Sequence, residues 1–216
     1  GNAPESEATP FRGAFTISMI VYAVMIAGMV DLPGNIAADR CRGMLSKLKS
    51  MPVSQFKDFL GRITAFLVFS LLAIVAVLLI GIVLGAKFSA TETGLIQSIA
   101  YISLPILASS GIGLILGTLI KSEQGAVYTG IGVALITSFM SGIFTTYSQL
   151  IPPLQLFSRV YPISSSSSAL IYLLIGERMA GYNPLDPIQI AMTVASSVIL
   201  FAIGLGIYTR YCWRRG

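Results

Sequence analysis

The stretch Ile63–Ala86 reads ITAFLVFSLLAIVAVLLIGIVLGA and carries no charged residue along its whole length. A helix needs about 20 residues to cross roughly 30 Å of hydrocarbon at 1.5 Å rise per residue, so this stretch is long enough to span a bilayer. Inside a bilayer the backbone must be hydrogen-bonded within the chain, which leaves helices and closed barrels. Barrel strands alternate apolar and polar residues and this stretch does not, so it predicts a transmembrane helix.

Four further uncharged stretches have the same character. They are Gly13–Val30, Thr93–Ile120, Gln124–Ser158 and Pro187–Thr209. Of the 216 residues, 55% are hydrophobic and 11% charged, whereas soluble domains carry about 25% charged residues. The sequence therefore predicts an all-α membrane protein with five visible transmembrane helices and no room for a separate soluble catalytic domain. The expected spans are about 13–33, 59–86, 95–120, 124–147 and 187–211, within one membrane domain at 13–216.

The basic residues are unevenly divided between the two sets of loops. If the first long loop is cytoplasmic, the cytoplasmic set is Arg40, Arg42, Lys47, Lys49, Lys57, Arg62, Lys121, Arg210, Arg214 and Arg215. The outer set is then Arg12, Lys87, Arg159 and Arg178. The positive-inside rule thus predicts a multi-pass protein of the plasma or inner membrane with a cytoplasmic C-terminus. The net charge of +5 follows from this rule and implies no nucleic acid partner.

Residues 1–12 are then an extracytoplasmic tail. The first residue is Gly, and no export signal precedes the first apolar stretch. We expect that a further span precedes this tail in the complete protein.

The loop between the first two spans is basic and amphipathic. Asp31-Leu-Pro33-Gly34 is expected to end the first span, and Pro52 to end a helix over 36–51. Helical spacing puts one set of apolar residues on a common face: Cys41, Met44, Leu45, Leu48 and Met51. Flanking charges come from Arg40, Arg42, Lys47 and Lys49. From the residues alone this is a cytoplasmic amphipathic helix, a helix lying in the lipid interface, or a plain anchoring loop.

Residues 150–180 are too interrupted for a simple span. Pro152, Pro153 and Pro162 break the stretch, and five serines follow at 164–168. We expect an outer re-entrant helix pair, because a full extra span would place the C-terminal arginines outside. Elsewhere Gly-xxx-Gly spacing predicts close helix packing, within the chain or between protomers. The four glycines are Gly81, Gly85, Gly113 and Gly117.

The sequence contains no pattern that indicates catalysis or ATP binding. It has no Walker A motif, no His and only two cysteines, and no charged residue near the middle of a predicted span. We therefore predict no catalytic residue, no metal and no cofactor bound by this chain. Any active transport would depend on an external source of energy.

A series of short motifs occurs in and after the basic loop. Around the loop the motifs are Asp39-Arg40, Gly43, Leu45, Leu48, Pro52-Val53-Ser54 and Leu60-Gly61-Arg62. Further on they are 117–122, 139–144, Ile151-Pro152 and Tyr161-Pro162. In order and spacing, over about residues 13–211, the sequence resembles the ABC-2 type transport permeases, the membrane subunits of ATP-binding-cassette exporters.

The resemblance implies an exporter whose energy comes from a separate nucleotide-binding (ATPase) subunit, which holds ATP and Mg²⁺. It implies a second permease chain, in a homodimer, and six spans in the intact family member. The helix at 36–51 becomes a coupling helix that docks into a groove of the ATPase subunit. Its interface residues are then Asp39, Arg40, Arg42, Gly43, Met44, Leu45, Lys47, Leu48, Met51 and Pro52. The competing interpretations are a self-powered carrier or channel and a non-transport membrane scaffold.

Overall fold

The computed structural model describes residues 5–44, 55–88, 91–145 and 147–212. Within them the regular structure is helical, which confirms the all-α prediction. The first helix consists of α1 (Glu5–Ile26), a π-helical segment (Ala27–Asp31) and α2 (Leu32–Cys41). The later helices are α3 (Gln55–Val83), α4 (Glu92–Leu119), α5 (Glu123–Ser141), α6 (Pro152–Val160), α7 (Pro162–Leu174), α8 (Glu177–Ala180) and α9 (Pro187–Cys212). A short 3-10 turn, Tyr147–Gln149, precedes α6.

Among the described residues, four helical stretches are long and apolar enough to cross a membrane. They are Pro10–Cys41, Lys57–Val83, Glu92–Leu119 and Pro187–Tyr211. The chain is therefore a multi-pass membrane protein. The span predicted at 124–147 corresponds to α5, which has 19 residues and ends at Gly142, where φ is 76°. Since α5 is not among the four stretches, the fifth span remains a prediction.

The first helix does not end where the sequence predicted. Asp31-Leu-Pro33-Gly34 lies inside a helical stretch that continues to Cys41. Proline lacks an N–H and its ring clashes with the carbonyl four residues earlier, which normally kinks a helix. Here the wider π turn, in which the Leu32 N–H bonds to the Ala27 oxygen, immediately precedes Pro33 and accommodates this defect.

The first helix occupies the centre of the molecule. In the most apolar 18-residue segment of this helix, 67% is buried, whereas in the corresponding segments of α3 and α9 only 17% is buried. A Cβ at Gly113 of α4 would overlap the carbonyl oxygen of Gly28, and one at Gly130 of α5 would overlap that of Met29. Both glycines therefore allow backbone-to-backbone approach at the π turn.

The other three glycines singled out from the sequence differ in their surroundings. A Cβ at Gly81 would overlap Thr16, and one at Gly117 would lie 2.9 Å from the Pro33 Cα. Both face the first helix of the same chain. Gly85, in contrast, follows the last residue of α3 with φ at 87°, so it forms a turn at the helix end.

Helices α4 and α5 are joined by a short polar link but make few contacts with each other. Each packs extensively against α2 and the π turn, which lie between them. The longest helix contact instead joins α4 and α9, where Gly111 and Gly204 meet. The first helix therefore separates two helices that are neighbours in sequence.

The serine run lies in α7, which packs against α1, α4 and α9. Ser164–Ser167 are buried. Ser164 donates to the Ser141 carbonyl at 2.7 Å, and Ser165 Oγ lies 2.7 Å from Thr193 Oγ1. The serines thus join α7 to α5 and α9 by hydrogen bonds, a role that the sequence did not predict. Whether α6 and α7 re-enter the membrane remains a prediction.

Candidate functional site

Five helix ends converge at one end of the molecule. They are the ends of α2, α4 and α9 and the beginnings of α3 and α5, and we refer to this region as the Cys41 end. Arg40 donates to the Thr118 carbonyl at 3.0 Å, and the Cys41 thiol lies 3.2 Å from the Lys121 oxygen. These bonds hold the end of the first helix against the link between α4 and α5. Segment 42–54, which begins at this point and contains most of the predicted coupling-helix residues, is called the coupling segment below.

Arg62 lies between two carboxylates at the Cys41 end. Its Nη1 is 2.7 Å from Asp39 Oδ2, and its Nε donates to Asp58 Oδ2 at 3.1 Å. The Tyr208 hydroxyl donates to the same Asp58 oxygen at 2.6 Å. The side-chain exposed fractions are 12% for Arg62, 10% for Asp58 and 25% for Asp39, so the group is mostly buried. We call these four side chains the Arg62 network.

The local sequence explains how the network forms. Asp58 and Arg62 are four residues apart on α3 and therefore lie on the same helix face. The planar guanidinium presents several N–H groups in fixed directions, so one arginine can bond two carboxylates at once. Asp39 comes from α2 and Tyr208 from α9, so the network joins three helices. Removing one member of a buried ion pair commonly destabilises a protein by about 3–5 kcal/mol.

The predicted coupling helix is interrupted in the structure. The first part of it, up to Cys41, is the continuation of the first helix. A turn at Arg42 and Gly43 follows, with φ of Gly43 at 69°, a conformation that glycine adopts without steric cost. A single helix over 36–51 is therefore wrong, because this turn separates the end of the span from the residues after it.

The predicted interface residues fall into two groups. Asp39, Arg40, Arg42, Gly43 and Met44 are described, and they lie together at the Cys41 end. Arg42 and Met44 are exposed, and Arg42 lies 3.9 Å from Glu123 in a solvent-accessible pair. The remaining predicted residues lie outside the described part of the chain: Leu45, Lys47, Leu48, Met51 and Pro52.

Three members of the Arg62 network were not among the predicted site residues. Arg62 belonged to a quoted motif, and its spacing from Asp58 is a recognisable ion-pair signal. Tyr208 is 150 residues from Asp58 in sequence. No local pattern could have indicated that contact.

A groove of about 750 Å³ lies next to the network, between the first helix and α3. Asp31 and Asn35 line it and are exposed, and Asp39 forms part of the same face. Because the first helix continues to Cys41, Asp31 lies ten residues from its end, or about 15 Å along the axis. Asp31 therefore lies within the helical stretch Pro10–Cys41, closer to its Cys41 end than to its middle.

The described residues contain no group of three or more metal-ligating side chains arranged to hold an ion. The carboxylates of the Arg62 network are instead bonded to arginine and tyrosine. The arrangement is suited to joining helices mechanically.

Residues 5–175 match the family described as ABC-2 type transporter. In Mycobacterium tuberculosis, in each of two strains, a curated relative named "Probable doxorubicin resistance ABC transporter permease protein DrrC" is 26% identical over 159 residues. The aligned part is 71% of this chain and 55% of the relative, so the chain spans about half the length of the curated relatives it matches. Because the family match covers most of the chain, the resemblance in the motifs is confirmed and the protein belongs to the ABC-2 type transporter family.

Proposed function

We propose that this chain is the membrane-spanning permease subunit of an ABC exporter. In this proposal a separate nucleotide-binding subunit binds and hydrolyses ATP with Mg²⁺, and the permease moves a substrate out of the cytoplasm. Two permease chains form a homodimer around the path. The family membership and the name of the mycobacterial relative support this proposal.

The observation that carries the proposal is the Arg62 network. Segment 42–54 connects the end of α2 to the beginning of α3, and the Asp39–Arg62 pair bonds these two helices to each other. A force applied to the segment by an ATPase subunit would therefore act on both helices together. Through Tyr208 it would also act on α9. The segment would dock through Leu45, Leu48 and Met51, with Arg42 and Lys47 at the rim.

The orientation belongs to the same proposal. The Cys41 end carries Arg40, Arg42, Arg62 and Lys121, which favours the cytoplasm. An ATPase subunit is available only on that side. The coupling segment and the C-terminus would then both face the ATPase compartment.

One observation favours a second candidate function, a carrier driven by an ion gradient. Asp31 is a carboxylate within a membrane-spanning helix, and such groups are typical of ion-coupled carriers. In that case transport would need no ATPase subunit. The family membership argues against this alternative but does not bear on Asp31 itself.

The test is reconstitution of the permease with a candidate nucleotide-binding subunit. We expect the ATPase subunit to co-purify with the tagged full-length permease from detergent. We also expect substrate movement in vesicles to require ATP and to persist after ionophores collapse the ion gradients. Transport that continues without ATP and stops with the ionophores would establish the carrier instead. A permease that binds no ATPase subunit and moves nothing would favour the scaffold interpretation.

A further inference from the structure

The groove between the first helix and α3 has the size of a ligand site. Its volume of about 750 Å³ lies within the roughly 300–1,000 Å³ typical of pockets for drug-sized molecules. The wall is mostly apolar, and it includes two aromatic rings. Apolar lining residues include Ala27, Val30, Leu32, Phe66, Phe69 and Val127. An occupant of this groove would therefore need a lipophilic body.

The polar residues of the groove form a stripe along the first helix. Asp31, Asn35 and Asp39 are spaced four residues apart and all line the groove. The carboxylate of Asp39 is paired with Arg62 at 2.7 Å. In the described part of the chain, no side chain lies within ion-pair or hydrogen-bond distance of the Asp31 carboxylate. Asp31 is therefore exposed to the groove as an acceptor.

A carboxylate within a membrane-spanning helix commonly pairs with another group or faces a cavity, because charged groups are unfavourable in hydrocarbon. Asp31 faces the groove. The described lining contains four carboxylates and two basic side chains, and Arg42, just outside it, pairs with Glu123. The excess is therefore one negative charge, which favours a cation over an anion. Phe69 lines the groove and is exposed, and aromatic rings favour organic cations.

We propose that this groove binds a lipophilic organic cation, with Asp31 as its counter-ion. The inference rests on the proposed function, because the occupant would be the transported substrate. Lys57 and Glu123 line the groove close to the Cys41 end, so the substrate would reach Asp31 from the cytoplasmic half of the bilayer. A neutral or anionic molecule of the same shape would lack the contact with Asp31.

The test uses two ions of nearly equal size and shape, tetraphenylphosphonium and tetraphenylborate. Equilibrium binding is measured on the full permease–ATPase complex in phosphatidylcholine nanodiscs without ATP. We expect tetraphenylphosphonium to bind the unaltered complex, and Asp31→Asn to weaken that binding by about tenfold. After subtraction of each ion's partition into empty nanodiscs of the same lipid, tetraphenylborate should bind more weakly than the cation, and Asp31→Asn should not weaken it further.

Two control variants separate charge from fold. Asp31→Glu keeps the carboxylate and should retain tetraphenylphosphonium binding to within about threefold. Glu177→Gln removes an exposed carboxylate outside the groove and should leave binding unchanged. Equal cation binding by the unaltered complex and Asp31→Asn would overturn the proposal. Equal binding of the two ions, or loss of binding in Asp31→Glu as well, would also overturn it.

The cation proposal and the export proposal are tested by different measurements, so that the failure of one can be told from the failure of the other. Binding is measured without ATP, whereas the export proposal is tested by co-purification and by ATP-dependent transport. A complex that binds tetraphenylphosphonium through Asp31 but transports only along an ion gradient would contradict export alone. A second chain seated in the groove would appear as cross-linking between copies through Asn35→Cys, in a background without Cys41 and Cys212. If such cross-linking occurs and tetraphenylphosphonium does not compete with it, the groove is an interface between chains and the cation proposal is wrong.

Discussion

Arg62 is the residue on which the Cys41 end depends most. It bonds two carboxylates that come from different helices, and one of them also accepts the Tyr208 hydroxyl. Because Asp39 and Asp58 are both mostly buried, loss of the guanidinium would leave two carboxylates without their shared cation. Lysine could not replace it, since a single ammonium lacks the planar fork that reaches both oxygens.

Tyr208→Phe tests the connection between the network and α9. The change removes one hydrogen bond to a carboxylate, worth about 1.5–3 kcal/mol, and keeps the ring that packs against Phe59. We expect the thermal midpoint of the purified permease to fall by several degrees, at roughly 2–4 °C per kcal/mol. The matched control is Tyr128→Phe, which removes a hydroxyl from a side chain that is 69% exposed. Equal midpoints for the two variants would contradict the role assigned to Tyr208.

Gly113→Val tests the approach of α4 to the π turn. A Cβ there would overlap the Gly28 carbonyl, and since both atoms belong to helix backbones neither can move cheaply. Overpacking commonly destabilises by about 1–3 kcal/mol, and backbone contacts belong at the upper end or beyond. We expect a large loss of monodisperse protein in size-exclusion chromatography. The same change at Gly132, which has no atom within 4 Å of an added Cβ, should have little effect. Similar yields for both variants would show that the close approach is absent.

At the scale of elements, the first helix shows what local sequence can and cannot predict. Its apolar composition predicted a span, which is present. Its end was misplaced because Pro33 and Gly34 were treated as breakers. A π turn before the proline accommodates the missing N–H, and neighbouring glycines on α4 and α5 allow the packing that holds it. This compensation depends on residues about 80 to 100 positions away, which no local pattern could reveal.

The Arg62 network shows the same limit on what local sequence can predict. The spacing of Asp58 and Arg62 was readable from the sequence, whereas the meeting of α2, α3 and α9 was not. The amphipathic pattern at 36–51 extends across a turn at Gly43, and residues 45–51 lie outside the described part of the chain. A glycine within a helical pattern can either continue the helix or end it. Which of the two occurs depends on where the helical hydrogen bonds stop, and the sequence alone does not show where.

The coupling segment is tested at the element scale by changing its apolar residues. We predict that Leu45→Ala with Leu48→Ala weakens binding of the ATPase subunit by more than about tenfold, since truncated interface anchors cost about 2 kcal/mol or more. Transport in vesicles should fall in proportion, while insertion of the permease is unchanged because the spans are intact. The measurement is the amount of ATPase subunit retained by tagged permease in detergent.

The control for the coupling segment is the removal of one positive charge from the same stretch. Lys49→Ala should retain nearly all of the ATPase subunit, because exposed ion pairs contribute little. If the double variant binds the ATPase subunit and transports as well as the unaltered permease, the segment is only an anchor in the lipid interface. In that case no force from the ATPase subunit would reach the Arg62 network through this segment.

At the scale of the whole molecule, contacts between residues that are distant in sequence define two opposite ends. Arg12 donates to the Leu84 carbonyl, and Gly94 faces the Leu173 oxygen, at the end opposite the Arg62 network. Membrane helices and their approximate number were predictable because hydrocarbon imposes length and composition. The central position of the first helix was not predictable, because every span is apolar and hydrophobicity alone does not rank them.

The predicted orientation is tested at the two ends of α4, which are marked by exposed residues. Thr91 precedes its first residue and Lys121 follows its last residue by two positions. If α4 spans the membrane with the Cys41 end inside, these two positions lie on opposite sides. In a background with Cys41→Ser and Cys212→Ser, we expect Thr91→Cys to react with a membrane-impermeant maleimide in intact cells. Lys121→Cys should react only after permeabilisation. The reverse pattern would place the Arg62 network outside, away from any ATPase subunit, and labelling of both positions in intact cells would show that α4 does not cross.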